Sequence, residues 1–425
     1  MRVSKKKPAN TRNAGHLQVD KVEMMAKAAR LRFWEGHSLA EIADLLGYKN
    51  VSSASRLLGE AWKNGVVRVV IDTSSAISAE RDERLERSLM EAFGLDGAIV
   101  VHAPEPSSNS TLARDDELHL ALANTAGDEL RGRIRSNSHI GVGGGRAVYN
   151  AIKRIENRPP RRRGVTITPL TGHLWARDWA MDGRHLLRPM DSDDVAYCLA
   201  LALEDQPETR FSQIRLPAFM QSQRTVFEAS RQQCRFLPHG KWKSNEVPDS
   251  AVVGIGTLDP RSGHRVCDLV RDLPPDAENY LRLAARELRS ILNQVQRQKW
   301  PYCPVGDLVN RLFLHLPLPH QLKSLSREHI RAYSRLREKI NTLNQRCLSV
   351  EWSHLNQIRD VMLIGGGPHK INALWTVIAA PHSFVREICT DVTTARTLLK
   401  ASVRWEDLIK EHRWLKSLSQ RLFKT

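Results

Sequence analysis

Apolar positions along this chain follow two regimes. In the first, Leu39, Ile42, Ala43 and Leu46 share one helical face. Ser38 with Glu41 three residues on makes a capping box at the start, and Gly47 supplies the left-handed stop. A second helix is predicted from Val51 to Lys63, with Ala54, Leu57, Leu58 and Ala61 inward and Ser52, Ser53, Ser55, Arg56 and Glu60 outward. Gly65 ends it, and Val66 to Asp72 alternates like a short strand. Residues 17–35 read as a preceding helix with Val22, Met25, Ala26, Ala29 and Phe33 on one side. Residues 1–16 are basic with nothing to bury, and read as a disordered tail. The expected domain is therefore a three-helix unit over 17–72, followed by a small, polar linker at 73–80.

The second regime covers residues 81–401. Short apolar runs alternate with amphipathic stretches: strands at 97–102, 139–142, 165–169, 251–255, 360–364 and 385–389, with helices at 81–93, 116–134, 191–203, 370–380 and 393–400. That alternation predicts an α/β domain with a mostly parallel sheet and helices on both faces. Helical insertions are expected at about 258–300 and 318–352. Within them Leu281, Ala284, Leu288, Ile291 and Val295, and Tyr333, Leu336, Ile340, Leu343 and Cys347, form heptad-like seams. The seams fit either ordinary packing on the sheet or a helical hairpin or inter-subunit bundle contributing to oligomerisation. Residues 402–425 read as a docked amphipathic C-terminal helix.

Net charge is +17 and pI about 9.9, which favours a polyanionic partner. The six cysteines form no C-x-x-C pair and the 16 histidines no H-E-x-x-H, so reduced thiols in a cytoplasmic protein are expected, with no metal centre and no cofactor. No apolar run is long enough for a membrane span, and the N-terminus lacks the apolar core of a secretory signal.

The paired helices of residues 38–65 are those of a helix-turn-helix. Small hydroxyls on the second helix permit close approach to the groove of duplex DNA, and Arg56 can fork onto a guanine edge or a phosphate. Lys49, Asn50, Ser52, Ser53, Ser55 and Arg56 are the candidate DNA contacts. The bland alternative is a solvated helix with an Arg56–Glu60 pair one turn apart. Two glycine clusters sit between a strand and a helix: Gly141 to Arg146 and Gly365 to Lys370. Such corners hold anions on backbone N–H groups, and each ends in a cation. Neither has P-loop or dinucleotide spacing. The candidate ligand residues are Gly143, Gly144, Gly145, Arg146, Gly366, Gly367 and Lys370, with Asp307 at an expected helix start in Val305 to Phe313, either binding sugar hydroxyls or capping. Asp391 is expected to cap a helix.

The motifs SLAEIADLLG with SRLLGEAWKNGVV, IGVGGGR, VVGIG, VGDLVNRLF, GGGPHK and TDVTTARTLL, in that order, resemble the SorC family of bacterial sugar-responsive transcription regulators. The resemblance covers roughly residues 20 to 400. It implies a helix-turn-helix joined to an effector domain like that of ribose-phosphate isomerases, glucosamine-phosphate deaminases and CoA-transferases. It also implies a homo-oligomer, and a sugar phosphate near Gly143 to Arg146, Asp307 and Lys370. Gly144 stands where members often carry Trp, and Ala147 where a hydroxyl usually helps bind phosphate. The turn GYKNVSSAS is one residue longer than usual, and the chain is longer than typical members. The expected function is a non-enzymatic, sequence-specific DNA-binding regulator that senses a small anionic metabolite. The alternatives are a partner-controlled DNA-binding or structural protein with a vestigial cleft, and a sugar-phosphate isomerase or deaminase-like enzyme.

Overall fold

The computed structural model describes residues 12–33, 35–67, 79–102, 111–173, 191–203, 206–214, 216–232, 246–259, 279–380, 383–402, 407 and 410. The chain divides into two compact units, Met1–Ala76 and Ile77–Thr425.

The first unit holds α1 (Arg12–Phe33), α2 (Leu39–Leu45) and α3 (Val51–Lys63). The capping box is present: Ser38 Oγ accepts from Glu41 N at 3.3 Å, and the Glu41 carboxylate accepts from Ser38 N at 2.7 Å. Gly47 takes a φ of +72°, so the chain turns between α2 and α3 without a Cβ penalty. Met25, Ala28, Leu31, Ile42, Ala43, Ala54, Leu57 and Ala61 make one small core. Four expectations are corrected. Residues 12–16 belong to α1, so a disordered tail cannot extend to residue 16. The buried face of α1 runs through Met25, Ala28 and Leu31, leaving Val22 and Phe33 exposed, because α3 packs against that stripe. Glu60 pairs with Lys21 of α1 at 2.8 Å, not with Arg56. Val66 and Val67 form no strand; the rest of that expected strand and most of the linker lie outside the described residues.

The second unit is built on a sheet whose main path runs in the order β1-β9-β8-β5-β2-β3-β4. Its strands are β1 (Gly97–Val101), β2 (His139–Val142), β3 (Thr166–Pro169), β4 (Arg210–Phe211), β5 (Ser250–Thr257), β8 (Asp360–Ile364) and β9 (Glu387–Asp391). All pairings along this path are parallel. Each central strand buries both faces, as a parallel sheet covered by helices requires. Val252, Met362, Ile364 and Cys389 point to one side, under α5 (Thr111–Arg133), α6 (Arg146–Asn157) and α7 (Ser192–Ala202). Ala251, Val253, Val361, Leu363 and Ile388 point to the other. That side is covered by α4 (Glu83–Phe93), α9 (Asn279–Arg297), α10 (Arg327–Asn344), α12 (Ile371–Ile378) and α13 (Val392–Ala401), with α8 (Gln223–Gln232) and the single turn α11 (Trp352–Leu355) alongside.

Two further expectations change here. Val305 to Phe313 is not a helix start. It is a hairpin of β6 (Val305–Leu308) and β7 (Arg311–Leu314), with β6 antiparallel to the end of β5. Val309 and Asn310 turn it with φ of 46° and 64°, the left-handed pair that a two-residue hairpin needs. The inter-subunit reading of the heptad-like seams also fails. Leu281, Ala284, Leu288 and Ile291 of α9 and Tyr333, Leu336, Ile340 and Leu343 of α10 are buried in the same core as the sheet. The two helices pack on each other, and α10 packs on β7, so the seams are consumed within the chain. The expected C-terminal helix lies almost wholly outside the described residues.

Candidate functional site

The strand order sets where a ligand cleft belongs. From β2 the chain steps outward to β3 and β4; from β5 it steps the other way, to β8 and β9. β2 and β5 are therefore neighbours whose connections leave in opposite directions, and the crevice at such a switch point, beyond the carboxyl ends of the strands, is where open α/β sheets bind ligands. The first glycine corner starts there. Gly143 N donates to Val252 O of β5 at 2.8 Å, and a Cβ on Gly143 would meet Val253 Cα at 3.2 Å. Gly145, with φ of +109°, is the N-cap of α6 and provides no side-chain cap. The first turn of α6 therefore takes no capping oxygen from its own N-cap residue, and helix N-termini of this kind receive anions.

The second corner is built differently. Gly365 N donates to Cys389 O at 3.0 Å. Gly367 N donates to Asp391 Oδ2 at 2.8 Å and to Thr394 Oγ1 at 3.0 Å. Asp391 Oδ1 accepts from Thr394 N at 2.9 Å, so Asp391 caps α13 as expected and also claims the glycine corner. The backbone N–H groups read as open in the sequence are here largely taken by the protein itself. What this corner offers is its cation. Lys370 ends a single 3-10 turn, Pro368–Lys370, from which α12 starts.

The two cations are related through His119 of α5, a residue the sequence reading passed over. His119 is 8 % exposed, and its Nδ1 has no hydrogen-bond partner among the described residues. Its pKa is pushed down to about 2, first by burial, then by Lys370, then by Arg146. A neutral imidazole thus lies within the fields of both glycine-corner cations. The signal that could have found it is a histidine on the apolar stripe of α5, between Leu118 and Leu122 and one turn from Ala123.

Asp307 does not start a helix. It lies in β6 opposite Gly256 of β5, 8 % exposed, and its charge acts on His315 and Cys347. It stands on the β5 extension, past Gly254, the last residue that β5 pairs with β8. The end of β5 itself approaches the second corner, where Asp259 lies 3.6 Å from His369. In the first unit, Lys49, Asn50, Ser52, Ser55 and Arg56 are exposed and Ser53 is half-buried. Asn50 is the N-cap of α3 but makes no side-chain cap bond, which leaves its amide available to a partner.

Residues 78–269 match the family described as "Putative sugar-binding domain". No curated protein matches the chain. Among solved structures it is similar to the full-length sorbitol operon regulator SorC from Klebsiella pneumoniae, at 21 % identity and a TM-score of 0.47, over 89 % of this chain and 99 % of that one. It is also similar to a transcriptional regulator from Streptococcus pneumoniae TIGR4, at 16 % identity and a TM-score of 0.49, over 75 % of this chain and 96 % of that one. A third is described as a "Probable sor Operon Regulator" from Shigella flexneri, at 16 % identity and a TM-score of 0.47, over 75 % of this chain and 98 % of that one. The matched family model falls within the second unit, which begins at Ile77.

Proposed function

We propose that this SorC-like chain, with its sugar-binding domain match over residues 78–269, is a transcriptional regulator. It binds duplex DNA through the helix-turn-helix and answers to a small anionic sugar, a sugar phosphate above other classes. The observation that carries the effector reading is the uncapped α6 N-terminus at the β2/β5 switch point, with Arg146 and Lys370 both acting on His119. A phosphate placed there gains the first-turn amides, the helix dipole and two cations. Gly144, Gly145 and Arg146 form the phosphate end of this site; Lys370 adds charge from the second corner, with Gly366 and Gly367 shaping it. Asp307 serves a sugar hydroxyl. DNA is contacted by Lys49, Asn50, Ser52, Ser53, Ser55 and Arg56, and the regulator works as a homo-oligomer, without catalysis.

One observation favours a second reading, in which the cleft is vestigial and a partner controls the DNA-binding unit. Asp391 places a buried carboxylate at the second glycine corner, and Ala147 offers no hydroxyl at the first. The two readings separate in a thermal-melt panel of sugar phosphates and organic acids against the full chain. A true effector at 100 times its dissociation constant stabilises the protein by about 2.7 kcal/mol. Under the first reading one compound shifts the melt and the Arg146→Ala variant loses the shift while keeping its fold; under the second no compound shifts it.

A further inference from the structure

The junction of β3 and α7 gathers a set of donor atoms that the effector reading does not use. Beyond β3 the chain runs through Leu170, Thr171 and Gly172 to His173. The His173 backbone is held on both sides: its N–H donates to Leu216 O at 2.7 Å and its carbonyl accepts from Ala218 N at 2.8 Å. Asp191 is the N-cap of α7, its Oδ1 accepting from Asp194 N at 3.0 Å. Ser192 Oγ accepts from Leu170 N at 2.8 Å and donates to Val142 O, which ties the start of α7 to the ends of both β3 and β2. The backbone bonds that fix His173 and the cap that fixes Asp191 and Asp194 are independent of one another.

The result is that His173, Asp191 and Asp194 each present one donor atom, all within 4.8 Å of one another. His173 Nδ1 and Asp191 Oδ2 are 2.5 Å apart. Asp191 is 2 % exposed. Nδ1 of His173 and Oδ2 of Asp191 face each other as a buried ion pair, and Oδ2 of Asp194 is buried beside them with the Asp191 carboxylate as its neighbour. Asp193, between the two carboxylates in sequence, is turned elsewhere: its Oδ1 accepts from Ile214 N at 2.7 Å. Among the described residues, no Lys or Arg forms an ion pair with Asp191 or Asp194. Two carboxylates held this close and this dry cost desolvation and repel each other, and one imidazole compensates for only part of that.

A divalent cation, often the largest local charge in such a site, compensates for more of it than the imidazole can. One imidazole nitrogen with two carboxylate oxygens is a donor set for a borderline metal of the first transition series; calcium takes six to eight oxygens, and no thiolate is present to select a softer ion. We propose that His173, Asp191 and Asp194 form a site for one divalent transition-metal ion, of the Mn2+ or Zn2+ class, at the carboxyl-end rim of the sheet. Three protein ligands leave coordination positions open to water or to a ligand oxygen. The site lies next to Val142, the residue before Gly143, so a bound ion adds positive charge at the rim of the same strand ends.

The test uses the full-length chain stripped with a chelator and titrated calorimetrically with Zn2+ and with Mn2+ alone. The expected result is one ion per chain, with affinity falling more than about tenfold in His173→Ala and in Asp194→Asn. Pulsed EPR of Mn2+ on the unaltered chain should show nitrogen coupling from one imidazole, and this readout decides the matter if either variant fails to fold. Absence of stoichiometric binding, unchanged affinity in both folded variants, or an Mn2+ spectrum without nitrogen coupling overturns the proposal and leaves a His173–Asp191 ion pair bracing α7.

Discussion

Asp391 Oδ2 accepts the backbone N–H of Gly367 at 2.8 Å while Asp391 Oδ1 accepts Thr394 N at 2.9 Å, so one buried carboxylate both caps α13 and fixes the second glycine corner. The two glycine corners, alike in sequence, are therefore unlike in kind: the first takes no side-chain cap from its own N-cap residue, and the second is held by a buried carboxylate. Asp391→Ala strands the buried Thr394 N–H and leaves the Gly367 N–H with Thr394 Oγ1 alone, and should cost about 1–3 kcal/mol, read from urea unfolding of the full chain. Gly366→Ala should also destabilise, by about 1–3 kcal/mol, because its Cβ would lie 2.5 Å from Asp391 Oδ2 and 2.8 Å from Leu122 Cδ1. A wild-type midpoint in either variant contradicts the packing described for this corner.

His119 should leave a mark on the pH dependence of stability. Its folded pKa is pushed down to about 2, by burial, Lys370 and Arg146, while the unfolded side chain titrates near 6.5. Below that unfolded value the unfolded state binds the proton and the folded state does not, so the contribution of the neutral imidazole is whole above about pH 6.5 and is lost progressively as pH falls. The His119→Gln variant should show a stability slope shallower than wild type by about 1.4 kcal/mol per pH unit between pH 6 and 4. Parallel curves for the two proteins would show that His119 protonates freely in the folded state.

Leu288 and Leu336, on α9 and α10, are fully buried in the core shared with the sheet. Leu288→Asp or Leu336→Asp should thus unfold the second unit, because each buries an unpaired carboxylate in an apolar core. Circular dichroism and sedimentation velocity together distinguish this from an interface role: a folded variant with a smaller oligomer would restore the inter-subunit reading of these helices.

Arg56 is exposed on α3 and Glu60, its expected partner, is engaged by Lys21 at 2.8 Å. Arg56→Ala should weaken binding to a selected operator duplex by about 1–3 kcal/mol if the guanidinium reads a base, with specificity relaxed at that position. If it touches phosphate, affinity should fall equally on all sequences and the salt slope should flatten by about one unit. An affinity and salt slope both equal to wild type would remove Arg56 from the interface.

What the sequence made legible, and what it did not, follows from the range of the interactions. The capping box of Ser38 and Glu41 and the limits of α3 are set by residues a turn apart, and were readable. The central strands were readable because burial on both faces makes their apolar runs continuous. The hairpin Val305–Leu314 is hidden in the sequence because Gly-Asp-Leu imitates a helix start; its partner, the end of β5, lies some fifty residues away in sequence. The same holds for the site. Arg146 and Lys370 could be named from their local corners, but His119 gains its meaning only where α5 crosses both. His173, Asp191 and Asp194 match no short ligand spacing, and only the pairing of β3 and α7 brings them together.

The central claim is that an anion held at the α6 N-terminus changes how the chain binds DNA. It is tested most directly by fluorescence anisotropy of a genomically selected operator duplex titrated with the full-length protein, with and without each sugar phosphate of a panel. The account predicts that one compound shifts operator affinity by about 5- to 150-fold, and that Arg146→Ala and Lys370→Ala bind the operator normally but lose the shift. Operator binding that no compound of the panel alters, or a shift that survives both substitutions, would contradict it.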